Sequence, residues 1–173
     1  MALTTTPKSA TADSYVSVTN ANTYLTTNRT YTTEWDDAVE ATRERVLRWA
    51  TNLLDLHVDW YGYPTTQLQA LRFPRVGLVD RDGRNIDQDT IPTLLERATS
   101  ELALALLQRN RTAEPATLGR GIERIKVDVI DIKIKESARI ELIPADVLAM
   151  VSVFGRLADS SRAGGGIVKL ERV

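Results

Sequence analysis

The chain has 173 residues, 43% hydrophobic and 26% charged, which suits one domain with tails or a small appended element and allows a core of useful size. Its 22 basic and 23 acidic residues leave a formal net charge of −1, which argues against a domain whose main task is gripping nucleic acid by its phosphates. Cysteine is absent and His57 is the single histidine, so disulfides, thiolate chemistry and thiolate or His-rich zinc sites are excluded.

No apolar run approaches the roughly 18 residues a membrane helix needs, and the start carries no signal-peptide pattern, so a soluble, non-exported protein is expected. Charge is unevenly spread. Residues 34–110 hold nine basic against thirteen acidic residues, residues 120–139 six against four, and residues 156–173 four against two. Any contact with DNA is therefore expected from the C-terminal third.

Residues 1–33 contain eleven threonines. Residues 1–14 read as a flexible N-terminal arm, the alternation around Tyr15-Val16-Ser17-Val18 as a short extended piece, and Asn20 to Thr27 as a short helix burying Tyr24 and Leu25. A strong helix is predicted from about Asp36 to His57, where Val39, Val46, Ala50, Leu53 and Leu54 recur at helical spacing, widened by Leu47 and Trp49. Residues 59–89 form a long irregular connection too apolar for a linker, with Asp80-Arg81-Asp82-Gly83 as a tight turn in which Gly83 supplies the positive φ.

The second strong helix opens at Thr90-Ile91-Pro92, with Thr90 as cap, and runs to about Asn110 on an apolar face of Leu94, Leu95, Ala98, Leu102, Ala105 and Leu106. At residues 122–136 the period changes to two. Ile125, Val127 and Val129 alternate with polar residues, then Ile130, Ile132 and Ile134 do so one step out of phase, which predicts a β-hairpin or one long bent strand. Pro144 opens a last helix to about Asp159, burying Val147, Leu148, Val151, Phe154 and Leu157. Residues 161–173 form a tail hinged at Gly164-Gly165-Gly166. Its strand-like tip either docks on a neighbour's sheet edge or is a frayed terminus. The expected fold is mainly α: a small helical bundle over residues 15–160, with a β element at 122–136 and extended termini.

No phosphate-binding, dinucleotide or paired metal-binding motif is present. Asp80, Asp82, Asp87 and Asp89 lie close together, but no bidentate Glu follows and Arg81 and Arg84 compete for them, so turn formation and ion pairing are expected there and no cofactor or metal. No serine or threonine has a recognisable base, so no enzyme is expected and no catalytic residue is assigned. Trp35, Trp49, Trp60, Tyr61 and Tyr63 could stack on single-stranded bases, but their acidic surroundings and spacing favour core packing.

The order of Ala12-Asp13-Ser14-Tyr15-Val16-Ser17-Val18, Ala21-Asn22-Thr23-Tyr24, Leu53-Leu54-Asp55, Leu71-Arg72-Phe73-Pro74-Arg75, Asp80-Arg81-Asp82-Gly83-Arg84, Ile91-Pro92 and Ala98-Thr99-Ser100-Glu101-Leu102-Ala103 resembles small helical head–tail connector (adaptor) proteins of tailed phages. The same family is also labelled DnaT-like single-stranded DNA-binding protein. The resemblance covers residues 12–110, and Phe73 stands where the family commonly has Trp.

The adaptor resemblance implies a dodecameric ring in the virion, below the portal protein. A stopper or tail-completion protein would dock on it, and genomic DNA would pass through its lumen without sequence-specific binding. The same resemblance implies loop and subunit anchoring by Arg72, Phe73, Pro74, Arg75, Asp80, Asp82 and Gly83, with Arg72 and Arg75 free to pair across subunits. Docking on the portal or a neighbour would fall to Gly164, Gly165, Gly166, Ile167, Val168, Lys169, Leu170 and Arg172, and channel- or ring-facing contacts to Lys126, Lys133 and Lys135. The alternative from the other label is a single-stranded DNA-binding replication accessory protein.

Overall fold

The structure, a computed structural model, describes residues 2–112, 124–127, 130–133 and 142–158. Those residues are mostly helical. Helix α1 (Val18–Asn28) starts where the Ser17 hydroxyl accepts the Asn20 N–H. It is followed by α2 (Thr33–Asp36), α3 (Glu40–His57), α4 (Thr93–Gln108) and α5 (Ala145–Val151). The strands are β1 (Val58–Trp60), β2 (Tyr63–Pro64) and β3 (Arg75–Val76) between α3 and α4, β4 (Arg124–Val127) and β5 (Ile130–Lys133) between α4 and α5, and β6 (Gly155–Leu157) after α5; they pair β1–β6, β2–β3 and β4–β5, each pair antiparallel.

Helix α4 is the axis of the bundle. Ten of its sixteen residues are buried, and α1, α2, α3 and α5 all pack on it. An all-round apolar surface suits a helix with neighbours on every side. Its buried hydroxyls stay satisfied locally: Thr99 donates to the Leu95 carbonyl and Ser100 to that of Glu96. Glu101, also buried, takes the Tyr24 hydroxyl at 2.7 Å and the Arg29 Nε at 2.6 Å, tying α1 to the axis.

The structure departs from the sequence expectations at several points. The helix expected from about Asp36 to His57 starts later, at Glu40, after a separate short helix, α2, that ends at Asp36. Arg43 reaches back to donate to the carbonyls of Trp35 and Asp36, which satisfies the end of α2 and lets the chain turn before α3. Val39 becomes the residue before α3 and is exposed. Thr90 does not cap α4; it donates to Asp87, and Pro92 occupies the cap position. Residues 2–14 are tied to the bundle at several places. Ala12 and Ser14 are buried, and Asp13 pairs with Arg48 at 2.6 Å while accepting the Thr4 N–H.

The last helix stops at Val151, well short of Asp159. After a turn, β6 pairs with β1, matching Val58 with Leu157 and Trp60 with Gly155. At Gly155 a Cβ would lie 2.7 Å from the Asp59 carbonyl, so this strand needs glycine to close on its partner, and Leu157, expected inside, is exposed. The expected β element at 122–136 is described only as β4 and β5, paired antiparallel. The register pairs Ile125 with Ile132 and Val127 with Ile130, so apolar positions stand opposite each other across the two strands.

The expected tight turn is present. Gly83 has φ +79°, and Asp80 accepts the N–H groups of Asp82 and Arg84.

Candidate nucleic-acid interface

The long connection between β1 and α4 is held by an aromatic cluster. Phe73 is almost fully buried and meets Tyr15, Trp60 and Phe154 edge-on, with centroids 6.3, 5.0 and 5.5 Å away. Pro74 follows through a cis peptide bond. Beneath this cluster sits Asp55, near the end of α3. One carboxylate oxygen takes the Tyr15 hydroxyl and the Trp60 indole N–H, and the other takes the Arg72 backbone N–H. Burial pushes the Asp55 carboxyl pKa up, against the lowering effect of Tyr15, Arg72 and Trp60. Burial and then Asp55 push the Tyr15 phenol well above its ordinary value, so Tyr15 stays a donor.

Arg75, only 7% exposed, is turned inward. Its Nε donates to the Tyr61 carbonyl, Nη2 to those of Gly62 and Trp60, and Nη1 to that of Arg72. The guanidinium thus gathers three consecutive carbonyls and fixes the bend at residues 60–62. Gly62 makes that bend possible: its φ is +65°, and a Cβ would lie 2.2 Å from the Val76 carbonyl oxygen. Gly62→Ala is expected to cost about 2–3 kcal/mol in urea unfolding, because left-handed strain and the carbonyl clash add; an unchanged midpoint would contradict this geometry.

The bend carries two aromatic rings outward. Tyr61 is 48% and Tyr63 79% exposed. Beside Tyr61 opens a cavity of about 520 Å3, lined among others by Asp55, Asp59, Trp60, Arg72, Arg75 and Arg156. Arg72 is exposed on one side. Arg156, on β6, is 62% exposed on its side chain and lies 3.9 Å from Asp59. The pairing of β1 with β6 therefore brings a C-terminal arginine next to aromatic residues about a hundred positions earlier in the chain.

The sequence-derived residues divide clearly. Arg72, Phe73, Pro74 and Arg75 gather at this site, but Arg75 is spent on internal carbonyls and is not free to pair across subunits. Asp80, Asp82 and Gly83 sit apart, in the turn beside α5, where Arg81 donates to the Ala149 carbonyl and the Ser152 hydroxyl. Asp87 holds Thr90 and Asp89 pairs with Lys8, so those carboxylates serve local contacts. Trp35 is core, its indole donating to Asn22, and Trp49 and Trp60 are partly buried. Tyr61 and Tyr63 are not core, contrary to expectation. Of Lys126 and Lys133 only the strand positions are described. Lys135, Gly164, Gly165, Gly166, Ile167, Val168, Lys169, Leu170 and Arg172 lie outside the described residues. Arg156 and Asp55 were missed as site residues: Arg156 stands in no motif, and Asp55 entered only as the last residue of Leu53-Leu54-Asp55, with no sign of the donors that gather on it.

A family described as "Putative DnaT-like ssDNA binding protein" matches residues 1–173. The chain belongs to this family. No curated protein matches it significantly, and no solved structure does. The match overturns the head–tail connector resemblance as the main reading: it covers the whole chain and no adaptor family matches. The portal and stopper partners and the dodecameric ring, which depended on that resemblance, lose their basis with it. The alternative drawn from the second label is the one the family supports. Among the described residues, no helix is long and apolar enough to cross a membrane.

Proposed function

We propose that the protein is a non-enzymatic accessory factor that binds single-stranded DNA, and that the face bearing Tyr61, Tyr63, Arg72 and Arg156 is where it does so. The observation carrying this reading is the placement of exposed Tyr61 beside exposed Arg72 and Arg156 around one cavity, with exposed Tyr63 two residues further along the chain. Unpaired bases offer π-faces to the tyrosines, and the arginines meet backbone phosphates. Net charge is no obstacle, because the sum over the chain hides a local excess of arginine.

The test is fluorescence anisotropy with a labelled single-stranded oligonucleotide at low salt. Binding in the micromolar range or tighter is expected, weaker for a duplex of equal length. Replacing both Tyr61 and Tyr63 with alanine is expected to weaken it at least tenfold, at about 1–3 kcal/mol per stacked base. Arg72→Ala is expected to reduce the salt dependence by about 0.7 in log–log slope, the loss of one phosphate contact. Absence of binding at low salt would sink the proposal.

A further inference from the structure

Arg75 presents an unusual balance. It is more than nine-tenths buried, yet among the described residues its guanidinium makes no ion pair and is solvated by carbonyls alone. A guanidinium stays protonated in proteins. Four of its five N–H donors have carbonyl partners, which leaves one on Nη1. This residue lines the same cavity as Arg72 and Arg156. Three arginines there face two carboxylates, Asp55 and Asp59. Both oxygens of Asp55 are already engaged by Tyr15, Trp60 and the Arg72 backbone. Asp59 is held at long range by Arg156 and has further interactions of its own. The cavity therefore keeps a net positive charge, with its most fixed member desolvated at the wall, where electrostatic attraction is least screened.

We propose that this cavity is a subsite for one phosphate group of the bound single strand, with Arg72 and Arg156 closing on the phosphate from the rim and Arg75 supplying the fixed charge behind it. The inference rests on the single-stranded DNA reading and adds to it a specific anchor. A tetrahedral oxyanion suits the place better than a base, because the lining is predominantly polar and its donors are guanidinium groups. Stacking on Tyr61 then takes the base attached to the anchored phosphate, while Tyr63 takes a neighbour.

The experiment is a pair of NMR titrations of the full chain, one with inorganic phosphate and one with an unlabelled oligonucleotide, read at the Arg75 Nε–H and the Trp60 indole N–H. Both probes are expected to move the same two signals, and sulfate is expected to compete. Read at the Trp60 indole N–H, Arg75→Met should abolish the phosphate response, and Arg75→Lys should restore part of it. If the methionine variant does not fold, Arg72→Gln and Arg156→Gln, both at exposed positions, are each expected to weaken the phosphate response several-fold.

Oligonucleotide binding that leaves the cavity signals in place would overturn the subsite while leaving the DNA reading intact. A phosphate response without any oligonucleotide binding would reject DNA as the source of the phosphate and the functional reading with it. No response to phosphate from the intact protein would reject the subsite outright.

Discussion

Phe73→Ala is expected to destabilise the protein by about 3–5 kcal/mol, the range for removing a buried aromatic ring from a packed core. The ring is 2% exposed and touches three other aromatic residues, each from a different part of the chain: Tyr15 before α1, Trp60 on β1 and Phe154 before β6. Edge-to-face contacts of this kind contribute about 0.5–1.5 kcal/mol each beyond the area they bury. No single neighbour can move in to fill the space without leaving its own partner. Urea unfolding measures the loss. Tyr63→Ala, which removes an exposed ring, serves as the comparison and is expected to stay within about 0.5 kcal/mol of the parent. A loss below about 1.5 kcal/mol for Phe73→Ala would mean that the long connection is held elsewhere. The same variant is expected to weaken oligonucleotide binding, because the bend at residues 60–62 leans on the cluster.

What was legible in the sequence was whatever depends on local period and local turn chemistry. The stripe of Val46, Ala50, Leu53 and Leu54 on α3 and that of Leu95, Ala98 and Leu102 on α4 are buried as their spacing requires. The Asp80–Gly83 turn and the strands at 124–127 and 130–133 follow for the same reason. Elements decided by distant partners were not legible. The break before α3 depends on Arg43 folding back onto the carbonyls of Trp35 and Asp36, and an arginine in a helix gives no sign of that. The end of α5 depends on Gly155 meeting the backbone of β1, nearly a hundred residues away.

The site shows the same division. Arg72 and Arg75 look alike in sequence, yet one points to solvent and the other to carbonyls of residues 60–62. The expectation that DNA contacts would come from the C-terminal third rested on charge counted along the chain. Most of that third lies outside the described residues, but folding places Arg156 of it beside Arg72 and Tyr61 of the central region, so in the proposed interface charge is counted across a cavity.

Asp55→Ala is expected to cost about 2–4 kcal/mol, because it strands three donors at once, the Tyr15 hydroxyl, the Trp60 indole and the Arg72 N–H, and each unsatisfied donor costs about 1–3 kcal/mol unless water reaches it. The pH dependence of that cost has a defined sign. Burial raises the folded-state pKa of Asp55 above its ordinary value of 3.8, so the native state holds the proton more tightly than the unfolded chain. The contribution of this titration is fully present below the unfolded value and is lost as pH rises through the raised folded value. The stability gap between the parent and Asp55→Ala should therefore be widest below about pH 3.8 and narrow as pH rises through the raised value.

Asp55→Asn separates the two effects. It keeps one acceptor and removes the charge, so it should recover part of the loss and show no such narrowing of its own. Urea midpoints for the three proteins between acid and neutral pH would decide it. A gap that widened with rising pH would mean that the Asp55 carboxylate is stabilised by its three donors more than burial penalises it, and that its charge weighs fully against an anion in the neighbouring cavity.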